Sequence, residues 1–268
     1  MRAGIDFYYF TGTGNTLLVV DAMAAAFAAR GVAVRKLRIE RSDPKAVDLG
    51  KTLGLAFPVA AFSTYPLVWS FVDALPRADG TEVFMVATLG ALSAAMAGQL
   101  RVALLRKGYK PLGAKQIVMP GNFMMKKIDP AKDAKTVAKA ERKAAAFAVA
   151  LLDGKTRWDA NVPHLASALR WFFSKAFDKA GKVRFATVGV EPAKCSKCGL
   201  CAKLCPTGNI AMEGLPRFDG RCQGCMRCFA YCPTQAVYLG APDKPYLRYQ
   251  GLPPERFLTE LEADVKPI

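Results

Sequence analysis

The feature that most restricts what this chain can become is a pair of cysteine ladders in step. Cys195, Cys198, Cys201 and Cys205 are followed by Pro206, and Cys222, Cys225, Cys228 and Cys232 by Pro233. Each cysteine of the second ladder stands 27 positions after its counterpart in the first. Both read C-x2-C-x2-C-x3-C-P, a spacing suited to iron–sulfur cubanes. Three closely spaced thiolates can wrap a tight loop around one face of a cubane, each on a different iron. The fourth is carried away to the other cluster. Cluster one is therefore expected to use Cys195, Cys198, Cys201 and Cys232, and cluster two Cys222, Cys225, Cys228 and Cys205. Each proline fixes φ and removes a backbone donor where the chain turns off the cluster.

Zinc and disulfides are the competing uses of cysteine. Structural zinc sites commonly pair two separated ligand doublets and often include histidine, whereas here triplets recur twice and the single histidine, His164, lies well outside them. Met1 to Gly4 lead straight into an apolar run without a cleavage signal, which predicts a cytoplasmic protein. In that reducing setting thiols serve as ligands more than as cross-links.

Over about Thr187 to Leu239 these residues resemble the two-cluster bacterial ferredoxins. The resemblance implies small hairpins and short helices in pseudo-symmetric array, with Ile210 and Val237 packed near the clusters. Unlike many free ferredoxins, this segment carries the basic residues Lys194, Lys197, Lys203, Arg221 and Arg227. Positive charge beside a cluster favours its more negative reduced state, so the potential is expected to lie above that of an acidic homologue.

The first 153 residues alternate strand and helix signals. Strands are expected at Ile5–Phe10, Val32–Leu37, Leu53–Phe57, Val83–Thr88 and Gln116–Met119. Helices are expected at Asn15–Ala29, Leu67–Leu75, about Ala94–Lys107, and from Pro130, capped by Asp129, to Gly154. The fold class is therefore α/β: a doubly wound five-stranded parallel sheet, followed by a small α+β iron–sulfur domain. The uncharged stretches Thr52–Val72 and Val83–Leu100 are long enough to cross a bilayer, but Pro58, Pro66, Gly90 and Gly98 interrupt them. Buried parallel strands, apolar on both faces, explain them better.

Between the first strand and helix stands Thr11-Gly12-Thr13-Gly14-Asn15-Thr16. A helix N-terminus offers unpaired N–H groups and partial positive charge, glycine permits close approach, and three hydroxyls add donors, a set suited to a phosphomonoester. A dinucleotide loop would need glycine at Leu17, and a Walker loop would end in Gly-Lys-Ser/Thr; both fail. The loop resembles the phosphate site of flavodoxins, which implies FMN at the carboxyl ends of the strands. By that resemblance, Pro58, Val59, Ala60, Phe62 and Tyr65 on one loop, Thr88, Leu89 and Gly90 on a second, and Asn122 on a third flank the flavin ring. Many flavodoxins stack an aromatic from each of the first two loops; the second has none here, leaving Phe62 or Tyr65 to stack alone.

The chain thus divides into a flavodoxin-like domain (1–153), a helical bridge (154–185) with an amphipathic stripe Leu165, Leu169, Phe172, Phe173, Ala176 and Phe177, an iron–sulfur domain (186–240) and a C-terminal tail (241–268). Modules in this order resemble the flavodoxin–ferredoxin fusion proteins. That resemblance implies an electron-transfer protein passing electrons between two 4Fe–4S clusters, FMN and a redox partner. The alternative is an FMN-dependent reductase of a small organic acceptor, with Asn122 and Tyr65 as its only polar candidates. No catalytic Ser/His/Asp or Cys/His set competes. The formal charge of +16 suits an acidic partner protein. Its contributors include Lys126, Lys127, Lys132, Lys135, Lys139, Arg142 and Lys143, then Lys175, Lys179, Lys182 and Arg184. No nucleic-acid motif accompanies the charge. The bridge stripe could meet a membrane surface, but docking of the two domains explains it better.

Overall fold

The computed structural model describes residues 4–60, 63–90, 96–123, 125, 127–158, 188–244 and 246–263. Strands β1 (Ile5–Tyr9), β2 (Val34–Arg38), β3 (Thr52–Pro58), β4 (Glu82–Leu89) and β5 (Lys110–Val118) alternate with helices α1 (Asn15–Ala28), α2 (Pro66–Ala74), α3 (Met96–Arg106) and α4 (Pro130–Leu152). The strands form one five-stranded sheet in the order β2-β1-β3-β4-β5. Every pairing in it is parallel. That order is the flavodoxin-like form of the doubly wound fold, whose ligands sit beyond the carboxyl ends of the strands.

Alternation along β1 and β4 splits the core into two layers. Ile5, Phe7, Tyr9, Phe84 and Val86 face α1 and α4. Tyr8, Phe10, Val83, Met85 and Ala87 face α2 and α3. Gly54 of β3 lies under the edge-to-face pair Phe7–Phe84, whose centroids are 5.1 Å apart. A β-carbon on Gly54 would come within 2.6 Å of Phe7 and 2.7 Å of Phe84, so glycine is a packing requirement there.

Strand β5 starts at Lys110, six residues before the expected start. Its outer edge leaves Lys110, Lys115, Gln116 and Val118 exposed, and the register slips between Val83 and Phe84. Polar residues on an edge strand hide the apolar signal that marks central strands. Helix α4 begins as expected, with Asp129 accepting from the Lys132 N–H at 3.1 Å. The expected bridge helix and His164 lie outside the described residues, as does Phe62. No helix among the described residues is long and apolar enough to cross a membrane.

The cysteine-bearing segment folds as β6 (Val188–Val190), α5 (Leu200–Leu204), β7 (Ile210–Glu213), β8 (Leu215–Phe218), α6 (Arg227–Ala230) and β9 (Val237–Leu239). β6 pairs with β9 and β7 with β8, both antiparallel. Backbone geometry repeats with the cysteines. Positive φ occurs at Lys197 and Gly224, at Gly199 and Met226, and at Gly208 and Gln235, so each pair has one glycine and one side chain. The left-handed turns are thus set by the loop path rather than by glycine alone.

The described part of the tail is structured. Helix α7 (Pro254–Ala263) lies back on the first domain. Phe257 stacks on Tyr231 at 4.3 Å, Lys36 pairs with Glu260 at 3.3 Å, and Arg38 donates to the Leu261 carbonyl at 2.7 Å.

Candidate functional site: two thiol-lined cavities against a Thr-Gly loop

Two cavities open in the cysteine module. The first is lined by Cys195, Cys198, Cys201 and Cys232, with Leu200, Met212, Pro233 and Val237 among its walls. The second is lined by Cys205, Cys222, Cys225 and Cys228, with Pro206, Ile210, Phe218 and Arg227. Each cavity takes three thiols from one ladder and the fourth from the other, the grouping expected from the spacing. Among the described residues no three Cys, His or acidic side chains gather closely enough to hold one metal ion. Ligands of a cubane stand apart because each holds a different iron, so the cavities fit the cluster and its four thiolates.

The second cavity is the deeper: buried Asn209, Ile210, Met226, Arg227 and Phe229 wall it, whereas Cys198 of the first is exposed. Burial pushes the Cys225 thiol up to about 11 and the Cys228 thiol well above its ordinary value. Burial also raises Cys222 and Cys201. Burial would likewise raise Cys232, but N–H groups of Val237, Ala236 and Thr234 and the Thr234 hydroxyl outweigh it and draw that thiol down. Main-chain N–H groups reach sulfur elsewhere too, from Asn209 to Cys205 at 3.2 Å and from Gly224 to Cys222 at 3.4 Å.

In the first domain, residues 11–16 are all buried. The hydroxyl of Thr11 accepts from the Gly14 N–H at 3.1 Å, Thr13 accepts from the Asn122 amide at 3.0 Å, and Thr16 meets the Thr88 hydroxyl at 2.8 Å. Asn15 donates to the Pro120 carbonyl at 2.9 Å and accepts from the Tyr249 hydroxyl at 2.8 Å. Hydroxyls, an amide and the first turn of α1 converge with no carboxylate among them, a donor set that fits a phosphomonoester.

The glycines of this loop also admit a close approach by other parts of the chain. A β-carbon on Gly12 would run into the main-chain oxygen of Cys225, and one on Gly14 would stand 2.8 Å from Leu252. Both glycines therefore let the second module and the C-terminal segment close on the loop. Gly251 donates to the Thr13 carbonyl at 2.7 Å, and the Tyr231 hydroxyl lies 3.0 Å from the same oxygen. Tyr65 is turned into the core, edge-on to Phe10 at 5.1 Å, and burial, with Cys225 adding, pushes its phenol up. It presents no open ring face. Val59 donates to the Thr88 carbonyl at 2.7 Å, Ala60 and Ser63 close a turn, and the Thr64 hydroxyl donates to Pro58 at 3.0 Å, so the two flanking loops are tied together. Leu89 is buried and Gly90 exposed at the neighbouring strand end.

Arg227 joins the two sites, a role no local pattern announces. Its Nε and Nη2 donate to the Thr11 carbonyl at 3.0 and 2.8 Å, Nη1 reaches the Leu204 carbonyl at 3.4 Å, and Nη2 pairs with Glu40 at 2.6 Å. The guanidinium also lies 5.0 Å from the centre of the Phe10 ring. Burial works against its charge, but Glu40 and then Cys225 more than offset that and hold it protonated. Glu40 Oε1 also stands 4.0 Å from Arg38, while Oε2 is buried without a hydrogen-bond partner.

Residues 188–211 match the 4Fe–4S binding domain family. No match was found among curated proteins. Solved structures similar to this chain include a flavodoxin from the domain Archaea (11% identity, 55% of this chain and 98% of that one, TM-score 0.41). Megasphaera elsdenii flavodoxin, solved in its two-electron reduced form, is also similar (21% identity, 52% and 98%, TM-score 0.35). A third is a Streptococcus pneumoniae flavodoxin (14% identity, 54% and 99%, TM-score 0.40). The strand order and the cysteine module together lead to one architecture, a flavodoxin-like α/β domain fused to a 4Fe–4S ferredoxin module.

Proposed function

We propose that this chain is an electron-transfer protein holding two 4Fe–4S clusters and one FMN, and that it exchanges electrons with a redox partner. The observation that carries the reading is the sorting of eight thiols into two fours, the deeper of which backs onto the phosphate loop through Cys225 and Gly12. When bound, each cluster carries single electrons and the flavin carries one or two, which lets such a chain convert between single and paired traffic.

The chain's own residues give that chemistry its surroundings. Cys195, Cys198, Cys201 and Cys232 hold cluster one near the surface, and Cys205, Cys222, Cys225 and Cys228 hold cluster two inside. Thr11, Gly12, Thr13, Gly14, Asn15 and Thr16 bind the FMN phosphate, with Thr88 and Asn122 orienting two of the hydroxyls. The loops at Pro58–Ala60 and Leu89–Gly90 border the ring. Tyr65 and Asn122 are both engaged within the protein, which favours electron carriage over reduction of a small acceptor. An acidic protein suits the partner role: Lys132, Lys135, Lys139, Arg142 and Lys143 are exposed along α4, and the chain is strongly basic.

Anaerobically purified protein should contain about eight iron and eight acid-labile sulfide per chain, two cubanes' worth, together with one FMN. A redox titration followed by visible absorption and EPR should resolve the cofactors. Colourless protein with tightly held zinc and no sulfide would sink the proposal.

A further inference from the structure

The two cavities are related by the same 27-residue step as the cysteines, so each wall position can be compared with its twin. Leu200 opens α5 in the first cavity, and Arg227 opens α6 in the second. Both line their cavities, and among the described residues Arg227 is the one charged residue on either wall. The flanking cations do not follow this division. Lys194 and Lys203, in the first repeat, are paired with Glu191 and Glu262 and lie in solvent, where their fields are screened. Arg248 donates to the Gln235 and Val237 carbonyls at 2.7 and 2.6 Å and contacts the Phe229 carbonyl. Val237 belongs to the wall of the first cavity and Phe229 to that of the second, so Arg248 touches both.

Burial sets up the problem that Arg227 answers. A 4Fe–4S cluster with four thiolates is an anion, and each added electron makes it more negative. A low-polarity surrounding opposes that addition, and the second cavity is the deeper one. We propose, on the reading that each cavity holds a 4Fe–4S cluster, that Arg227 is a positioning and tuning residue that keeps cluster two reducible despite its burial. Glu40 sets how much of that charge cluster two feels. The Arg227 and Glu40 side chains are both buried and paired at 2.6 Å, so the carboxylate stands against the cation at the cavity wall. An electron arriving at cluster two lowers the charge of its core by one and makes or breaks no bond. The buried cation stabilises the extra charge without any proton moving.

The sign of each substitution follows. Arg227→Gln removes the cation and should lower the midpoint of cluster two. Glu40→Gln leaves the cation less neutralised and should raise it. Leu200→Arg places a guanidinium at the twin position and should raise cluster one instead. The measurement is an EPR-monitored anaerobic titration of the full chain, with the clusters assigned by Cys198→Ser, which perturbs cluster one. The inference holds if the Arg227→Gln and Glu40→Gln shifts are opposite and confined to cluster two. Should Arg227→Gln fail to fold, opposite-cluster shifts in Glu40→Gln and Leu200→Arg decide in its favour. Shifts of the same sign for the first two, equal shifts in both clusters, or no shift would overturn it while leaving two clusters in place. A wild-type protein with fewer than two clusters would instead overturn the proposed function, and this inference with it.

Discussion

The guanidinium of Arg227 donates twice to the main-chain oxygen of Thr11, at 2.8 and 3.0 Å, across 216 positions of sequence. One side chain therefore spans from the wall of a thiol-lined cavity to the first residue of the Thr-Gly loop. Its attachment is to backbone, so the contact tolerates changes in the Thr11 side chain but not in the path of the loop.

Gly12 tests how tightly the modules close. Gly12→Ala places a methyl group against the Cys225 carbonyl, where backbone rather than a flexible side chain would have to yield. The expected loss is about 1–3 kcal/mol, the usual cost of overpacking. Urea denaturation of the loaded protein would measure it. Unchanged stability would mean that the modules stand further apart in solution.

Cysteine replacement distinguishes ladder from cavity. Cys232 belongs by sequence to the second ladder but lines the first cavity. Cys232→Ala should therefore weaken the cluster bound by Cys195, Cys198 and Cys201, and iron should fall from about eight towards about four per chain. EPR should retain the cluster whose signal is lost in Cys225→Ser.

The cluster-free chain should show alkaline weakness. Burial raises the Cys225 thiol from an ordinary value of 9.0 to about 11. The folded apoprotein thus binds a proton that the unfolded chain releases first. The associated stability is complete below pH 9 and is lost as pH rises through 11. Each such thiol contributes up to about 1.4 kcal/mol per pH unit in that window. Chemical denaturation of the apoprotein at several pH values would reveal the decline. The loaded protein, with thiolates bound to iron, should not show it.

Much of this architecture was legible from local patterns. The cysteine spacing, the Asp129–Pro130 helix start and the Thr-Gly loop each depend on neighbours a few positions apart, where propensity and ligand geometry act directly. Strand β5 was read short because Lys110, Lys115 and Gln116 face solvent on a sheet edge. The packing of the tail is not legible locally, because Leu252 and Phe257 acquire meaning only against Gly14 and Tyr231, contacts made by the finished fold. The same applies to Arg227, one of several basic residues by composition and the one buried against Glu40 by structure.

Phe257 offers a direct probe of that tail. It is 1% exposed and stacked on Tyr231, whose hydroxyl reaches the Thr13 carbonyl of the Thr-Gly loop. Phe257→Ala should cost about 3–5 kcal/mol, as for other buried aromatics. It should also weaken retention of FMN, read by dialysis and fluorescence, more than retention of iron.

Helix α7 comes last in the chain yet rests on β2 and α1, near its beginning, through Lys36, Arg38 and Asp21. The second module is thereby held between two stretches that both belong to the first. Such an arrangement turns two recognisable halves into one cooperative unit. Heating should produce a single melting event, and either half produced alone would expose a large apolar scar and precipitate.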